Sequence, residues 1–354
     1  MAMGRRKRKR QQEFWVAAGD VAQGPRHVFY ERVNALLAEA DFDAFVEGLC
    51  EEFYADEVGR PGIPPGTYFR MLFIGYFEDL GTQRSIAWRC EDSLSLRKFL
   101  GYSAKEEPPD HSSLTRVRDR LPLAVHERAF AFLLSIAERK KLLKGKTVGV
   151  DSTMLEADAA MRTIVRKDTG EDWKEYLKRL MEEQGLVKEG QEPTDEERQR
   201  FDRSRKDKKV SNDEWQHPHD PEAQIAKLKD GRTHLAYKAE HVVDLKTDLV
   251  LAAEVYAADT ADSATLQDSL LISQVNLARA DSEAAIEEVA ADKGYHKLET
   301  LADLDGAAIR TYIPEPEQQH DHVWTDKPAE QQRAYRNNCR RVQGARGKRL
   351  QRLR

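Results

Sequence analysis

Two short segments each deliver one aspartate to the end of an apolar strand: Lys146-Thr-Val-Gly-Val-Asp151 and Ile286-Glu-Glu-Val-Ala-Ala-Asp292. Paired strand-end carboxylates suit hard cations, because Mg2+ takes carboxylate, water and phosphate oxygens in octahedral geometry. Two such ions could activate an attacking oxygen and stabilise a leaving one in an in-line phosphoryl displacement. The same residues have a plainer use. Asp151-Ser-Thr and Asp292-Lys-Gly are both good turn starters, and spacing alone leaves the choice open.

Lys293 and His296 follow the second aspartate closely enough to touch a phosphate, or are solvent-facing turn residues. His217-Pro-His219 with His234 and His241 could suggest zinc, but the intervening proline and the strand alternation work against convergence. Trp88, Trp173 and Trp324 are expected to pack rather than to stack on bases. There is no phosphate-cradling glycine loop, nucleophile elbow or dinucleotide fingerprint.

The elements that must position these residues fall in two halves, as 354 residues allow. Residues 28–143 read as helical. A loop at Gly59-Arg-Pro-Gly-Ile-Pro-Pro-Gly66 leads to a helix capped by Thr67 and striped by Phe69, Leu72, Phe73, Tyr76, Phe77 and Leu80. Further helices are expected at 84–100, 112–121 and 123–143. Such an array suits a helix-turn-helix DNA reader, with Arg116 and Arg120 on one face of the 112–121 helix; a plain bundle with solvated arginines explains the segment equally well.

From Gly145 the pattern becomes strand. More than half of residues 166–213 are charged, which predicts a solvated helical insertion or a flexible excursion without a core. A hairpin at 233–244 and 249–256, a helix at 262–279, strands at 288–292 and 308–313 and helix from Pro328 follow. That order suits a mixed sheet with helices on its faces, the two aspartate-bearing strands side by side.

A net charge of −5 argues against attraction of the whole protein to nucleic acid, but the distribution does not. Arg5-Arg-Lys-Arg-Lys-Arg10 opens the chain, and residues 333–354 hold nine Lys/Arg and no acid, which points to an anionic polymer as partner. Arg340, Arg341, Arg346 and Lys348 are the candidates for phosphate contact in that run. Cys50, Cys90 and Cys339 lack CxxC pairing and indicate a reducing compartment. With no apolar run of about 20 residues and no secretory h-region, the cytoplasm is the expected location.

Several ordered motifs carry a resemblance that spans nearly the whole chain from about residue 28. Gly62-Ile-Pro-Pro-Gly-Thr-Tyr-Phe-Arg-Met-Leu72, Arg84-Ser-Ile-Ala-Trp-Arg-Cys90, Ser93-Leu-Ser-Leu-Arg-Lys-Phe-Leu-Gly101 and Pro109-Asp-His-Ser-Ser-Leu-Thr115 resemble the amino-terminal domain of bacterial insertion-sequence transposases. Gly149-Val-Asp-Ser-Thr153, Ile164-Val-Arg-Lys-Asp-Thr-Gly170, Asp230-Gly-Arg-Thr-His-Leu-Ala-Tyr-Lys238, Ala291-Asp-Lys-Gly-Tyr-His296 and the Tyr335-Arg-Asn-Asn segment are similar to the DDE catalytic domain of that group, the IS1182-type branch in particular.

The resemblance implies an α/β protein: an RNase H-like mixed-sheet catalytic domain at 144–354, with its insertion at 166–213, preceded by an all-helical DNA-binding domain at 28–143 and a basic tail at 1–27. It implies that Asp151 and Asp292 are catalytic and ligate Mg2+ or Mn2+, that transposon terminal repeats and target duplex are the partners, and that a homodimer forms on DNA in the nucleoid. The group's third ligand is a glutamate after a basic run like 344–354. It would fall just beyond Arg354, so the chain reads as truncated, with little strand transfer expected of it alone. Glu315, Glu317 and Glu330 are not expected to substitute. A non-catalytic DNA-binding competitor and a stand-alone nuclease are the alternative readings. At Asp248 the group usually has glycine, which predicts a positive φ.

Overall fold

The computed structural model describes residues 25–54, 62–103, 105–188, 190–205, 211–317 and 324–354. The basic tail lies almost wholly outside these residues, as do Gly59, Arg60 and Pro61 of the expected loop. The chain divides into two compact units, Met1–Phe130 and Ala131–Arg354.

The first unit contains α1 (Pro25–Glu39), α2 (Phe42–Cys50), α3 (Pro65–Phe77), α4 (Gln83–Glu91), α5 (Leu94–Phe99) and α6 (His111–Arg120); the division falls within α7 (Leu123–Arg139). Phe42, Val46, Tyr68, Met71, Ile74, Leu96 and Leu114 form its interior. The buried guanidinium of Arg70 is held by both carboxylate oxygens of Asp43, at 2.5 and 2.9 Å, and by the Asn34 side chain at 2.9 Å.

Two sequence expectations need correction here. The helix expected at 84–100 is two helices, because the Ser93 hydroxyl accepts from Leu96 N–H and starts α5 afresh. Thr67 is not a cap: α3 begins at Pro65, where a missing N–H is harmless and φ is already helical.

The second unit runs β1 (Thr147–Glu156), β2 (Val165–Arg166), α8 (Trp173–Glu183), α9 (Asp195–Ser204), β3 (Trp215–Gln216), β4 (Gln224–Lys227), β5 (Thr233–Asp244), β6 (Leu249–Ala257), α10 (Asp262–Arg279), β7 (Glu288–Ala290), α11 (Leu298–Gly306), β8 (Arg310–Tyr312), α12 (Ala329–Gln343) and α13 (Ala345–Leu353). The main sheet has the order β4-β5-β1-β7-β8, with β6 also paired to β5. β1 is antiparallel to β5 and parallel to β7, and β7 is parallel to β8. In the β5–β6 turn Asp248 has φ 58°, as its position predicted.

Side chains alternate across a strand, and both sheet faces are covered. On one face α10 packs against β5 and β6; on the other, Leu350 of α13 packs with Ala290, Tyr312 and Leu245. The charged insertion is not coreless. Leu177, Met181 and Phe201 make a small core between α8 and α9, and Trp173 and Tyr176 also pack against a cluster of flanking residues, Ile164, Trp215, Ala223 and Leu235. Salt bridges such as Arg179–Glu171 and Arg198–Glu192 line the periphery of the insertion.

Candidate active site

The pairing of β1 with β7 runs from Thr147↔Glu288 to Gly149↔Ala290. Asp151 and Asp292 each lie two residues beyond that last pair, at the same level of the sheet; Asp292 is past the end of β7, but Asp151 is not at the strand end expected for it, because β1 runs on, paired with β5, to Glu156. Adjacent strands are about 4.8 Å apart, which lets the two carboxylates share a cation. Asp151 keeps 63% of its side chain exposed and opens into a groove of about 340 Å³ with Gly149, His241, Asp248, Leu353 and Arg354.

Helix α13 forms one wall of that groove. Gln351 donates from Nε2 to the carbonyls of Ala291 (3.0 Å) and Tyr312 (2.6 Å), at the ends of β7 and β8. Arg346 pairs with buried Glu288, which also accepts from Thr147 (2.8 Å) and Tyr312 (3.0 Å). Burial opposes ionisation of Glu288, but the hydrogen bonds, led by Arg346, outweigh it and hold its pKa below the usual carboxylate value. A Cβ at Gly149 would come within 2.7 Å of Leu245 Cδ2 and 3.5 Å of Arg354 Cγ, so any side chain there would have to displace Leu245. Arg354 brings Nη1 to 3.2 Å from Asp151 Oδ1.

Asp292 does serve its turn: Oδ1 accepts from Gly294 N–H at 2.7 Å and starts the 3-10 segment Lys293–Tyr295. Lys293 is exposed there, while the half-buried His296 ring faces Tyr335 of α12 at 6.1 Å. Tyr295 is fully buried and donates to Glu240 at 2.8 Å; burial drives its pKa far above the ordinary phenol value.

The donors present fit a hard divalent cation. They are carboxylate oxygens, open enough for water to complete an octahedron. Among the described residues no group of three His, Cys, Asp or Glu side chains is gathered as a ready cage. The four histidines do not converge. His217 bonds Thr163 at 3.0 Å, with the His219 ring 5.9 Å away; His234 lies between Asp230 (2.9 Å) and Glu156 (2.6 Å), which raise its pKa; and His241 pairs across the sheet with Asp151.

The basic candidates divide in two. Arg116 is exposed on α6, and exposed Arg120 sets its guanidinium 4.7 Å from the Tyr54 ring centroid. Arg340 and Lys348 are exposed, whereas Arg341 bonds the Thr311 carbonyl (3.0 Å) and hydroxyl (3.2 Å) and Arg346 is engaged by Glu288. Trp173 and Trp324 pack as expected, Trp324 against Tyr335 at 4.9 Å. Trp88 does not: it is 64% exposed, because α4 buries Ile86, Ala87 and Cys90 and turns Trp88 outward. Burial pushes the Cys50 and Cys90 thiols up to about 11 and about 12, which leaves them unreactive at neutral pH.

The sequence reading passed over Ser152, Lys238, Glu240 and Asp262, which lie directly behind the aspartates. The signal was present in β5: Lys238 and Glu240 share the strand phase of apolar Val242, and both are fully buried.

The second unit is thus a mixed α/β sheet with helices on each face, in which the parallel pair β1 and β7 brings Asp151 and Asp292 to one level. Residues 169–354 match the family described as Transposase DDE domain, and residues 20–120 match Transposase domain (DUF772). The first match takes in more than half of the chain, which belongs to the DDE transposases of insertion sequences and serves DNA transposition. No curated protein matches it. The solved Mos1 transposase paired-end complex with left transposon end is similar at 12% identity over 83% of this chain and 82% of that one, with a TM-score of 0.23. No described helix is long and apolar enough to cross a membrane.

Proposed function

We propose that Asp151 and Asp292 together hold Mg2+ or Mn2+ and that the chain acts there on the phosphodiester at a transposon end, first by hydrolysis and then by strand transfer to target DNA. The supporting observation is that both carboxylates stand two residues beyond Gly149↔Ala290 on adjacent parallel strands. A divalent ion bound there would neutralise charge developing on the phosphate oxygens. The protein's own part is positioning: α13 holds the strand ends, and exposed Lys293 offers an ammonium to the phosphate.

On this reading the helical unit holds terminal-repeat duplex through Arg116 and Arg120, and Arg340 and Lys348 contact phosphates beside the catalytic sheet. A homodimer holds paired ends, and the protein works at the nucleoid. A second reading, DNA binding without cleavage, draws on the absence of a gathered three-donor cage among the described residues. Duplex carrying the terminal repeat, incubated with Mg2+ or Mn2+, separates the two: cleavage that disappears in Asp151→Asn and Asp292→Asn supports the first reading, and binding without cleavage supports the second.

A further inference from the structure

Lys238 and Glu240 have no solvent exposure, and their charged atoms lie 3.9 Å apart. All three donors of the Lys238 ammonium are used, on the Thr260 carbonyl (3.1 Å), the Thr265 hydroxyl (3.0 Å) and Asp262 Oδ1 (3.2 Å). Glu240 accepts from Thr265 (2.7 Å), Ser269 (2.5 Å) and Tyr295 (2.8 Å). Burying such a pair is costly, and apolar residues of similar volume often stabilise as well or better. Stability alone therefore gives a weak account of it.

What the pair touches gives a stronger one. Asp262 Oδ1, held by Lys238, also accepts from the hydroxyl of Ser152 at 3.0 Å, and Ser152 directly follows Asp151. Asp262 Oδ2 points the other way. A Cβ at Gly294 would lie 2.6 Å from it and 3.0 Å from Asp292 Oδ1, so the Asp262 and Asp292 carboxylates face one point that only glycine leaves open. Tyr295, on the same turn, closes the circuit back to Glu240.

We propose that Lys238 is a positioning residue for Asp151 and Asp292: by fixing Asp262 between Ser152 and the Gly294 turn, it sets the separation of the two aspartates. This rests on the metal-site reading given above. Partners that orient metal ligands from behind are worth about 10–100-fold in metal affinity when removed.

The test is Mn2+ titration by calorimetry on the full chain, with melting temperature and hydrogen exchange at the Gly294 amide measured in parallel. Lys238→Met leaves Glu240 as an unpaired buried charge and can fail to fold, so the deciding variant is Lys238→Met with Glu240→Gln, which removes both charges together. Positioning predicts that this double variant regains the wild-type melting temperature while Mn2+ binds about 10–100-fold more weakly and the Gly294 amide exchanges faster. A purely structural role predicts recovery of all three, and affinity within twofold of wild type overturns the proposal. Should the double variant not fold, Ser152→Ala, at a partly exposed position, decides: about tenfold weaker binding supports positioning, and unchanged binding overturns it. Wild-type protein that binds no Mn2+ overturns the metal-site reading itself, and the proposal with it.

Discussion

Arg354 and Asp151 stand 203 positions apart in sequence, yet Nη1 of one lies 3.2 Å from Oδ1 of the other. The arginine brings a positive charge to the oxygen a cation would use, so the two compete. The pair is solvated on the Asp151 side, and such pairs are worth about 0–1 kcal/mol. Arg354→Ala is therefore expected to tighten Mn2+ binding by up to about fivefold, as read by calorimetry; weaker binding would mean that Arg354 supports the site.

Glu288 links stability to pH. Its folded pKa is below the unfolded value, so its contribution is complete above the ordinary carboxylate range and is lost as pH falls through the folded pKa. Melting temperature should fall between about pH 5 and pH 3, and Glu288→Gln should flatten that dependence. At pH 7 the variant should cost about 1–3 kcal/mol, since Arg346, Thr147 and Tyr312 lose a charged acceptor.

Gly149→Ala forces a methyl group to within 2.7 Å of Leu245 and should destabilise by about 1–3 kcal/mol. The double variant Gly149→Ala with Leu245→Ala should recover part of the loss in denaturant melts. Full tolerance of the single change would show that the Leu245 side chain gives way without cost.

The basic residues should separate by effect. Arg116→Ala and Lys348→Ala are expected to leave melting temperature unchanged and to lower the salt slope of duplex binding by about one each. Arg341→Ala should instead lower the melting temperature, because it anchors α12 to Thr311.

Most of the catalytic sheet was legible. Short apolar runs before Asp151 and Asp292 located β1 and β7, although β1 runs on to Glu156 because β5 stays paired with it, and the hairpin and the helix at 262–279 followed from period and turns. The insertion is helical, as one of the two expectations had it, but its core was missed because hydropathy counts residues and not their partners: Phe201 and Leu177 meet only once α8 and α9 fold together. Trp88 was misassigned for a related reason, since a tryptophan on a helix declares its face only when the packing face is known. The Lys238–Asp262 contact spans 24 positions and depends on how α10 crosses β5, which local pattern does not encode.

In the proposed function Asp151 and Asp292 act as one cation site. The direct measurement is Mn2+ titration of wild type, Asp151→Asn and Asp292→Asn at matched pH and salt. Either substitution should abolish or greatly weaken the same binding event while leaving the fold intact by circular dichroism. Wild-type affinity retained in either variant would contradict a shared site and leave that aspartate as no more than a turn residue.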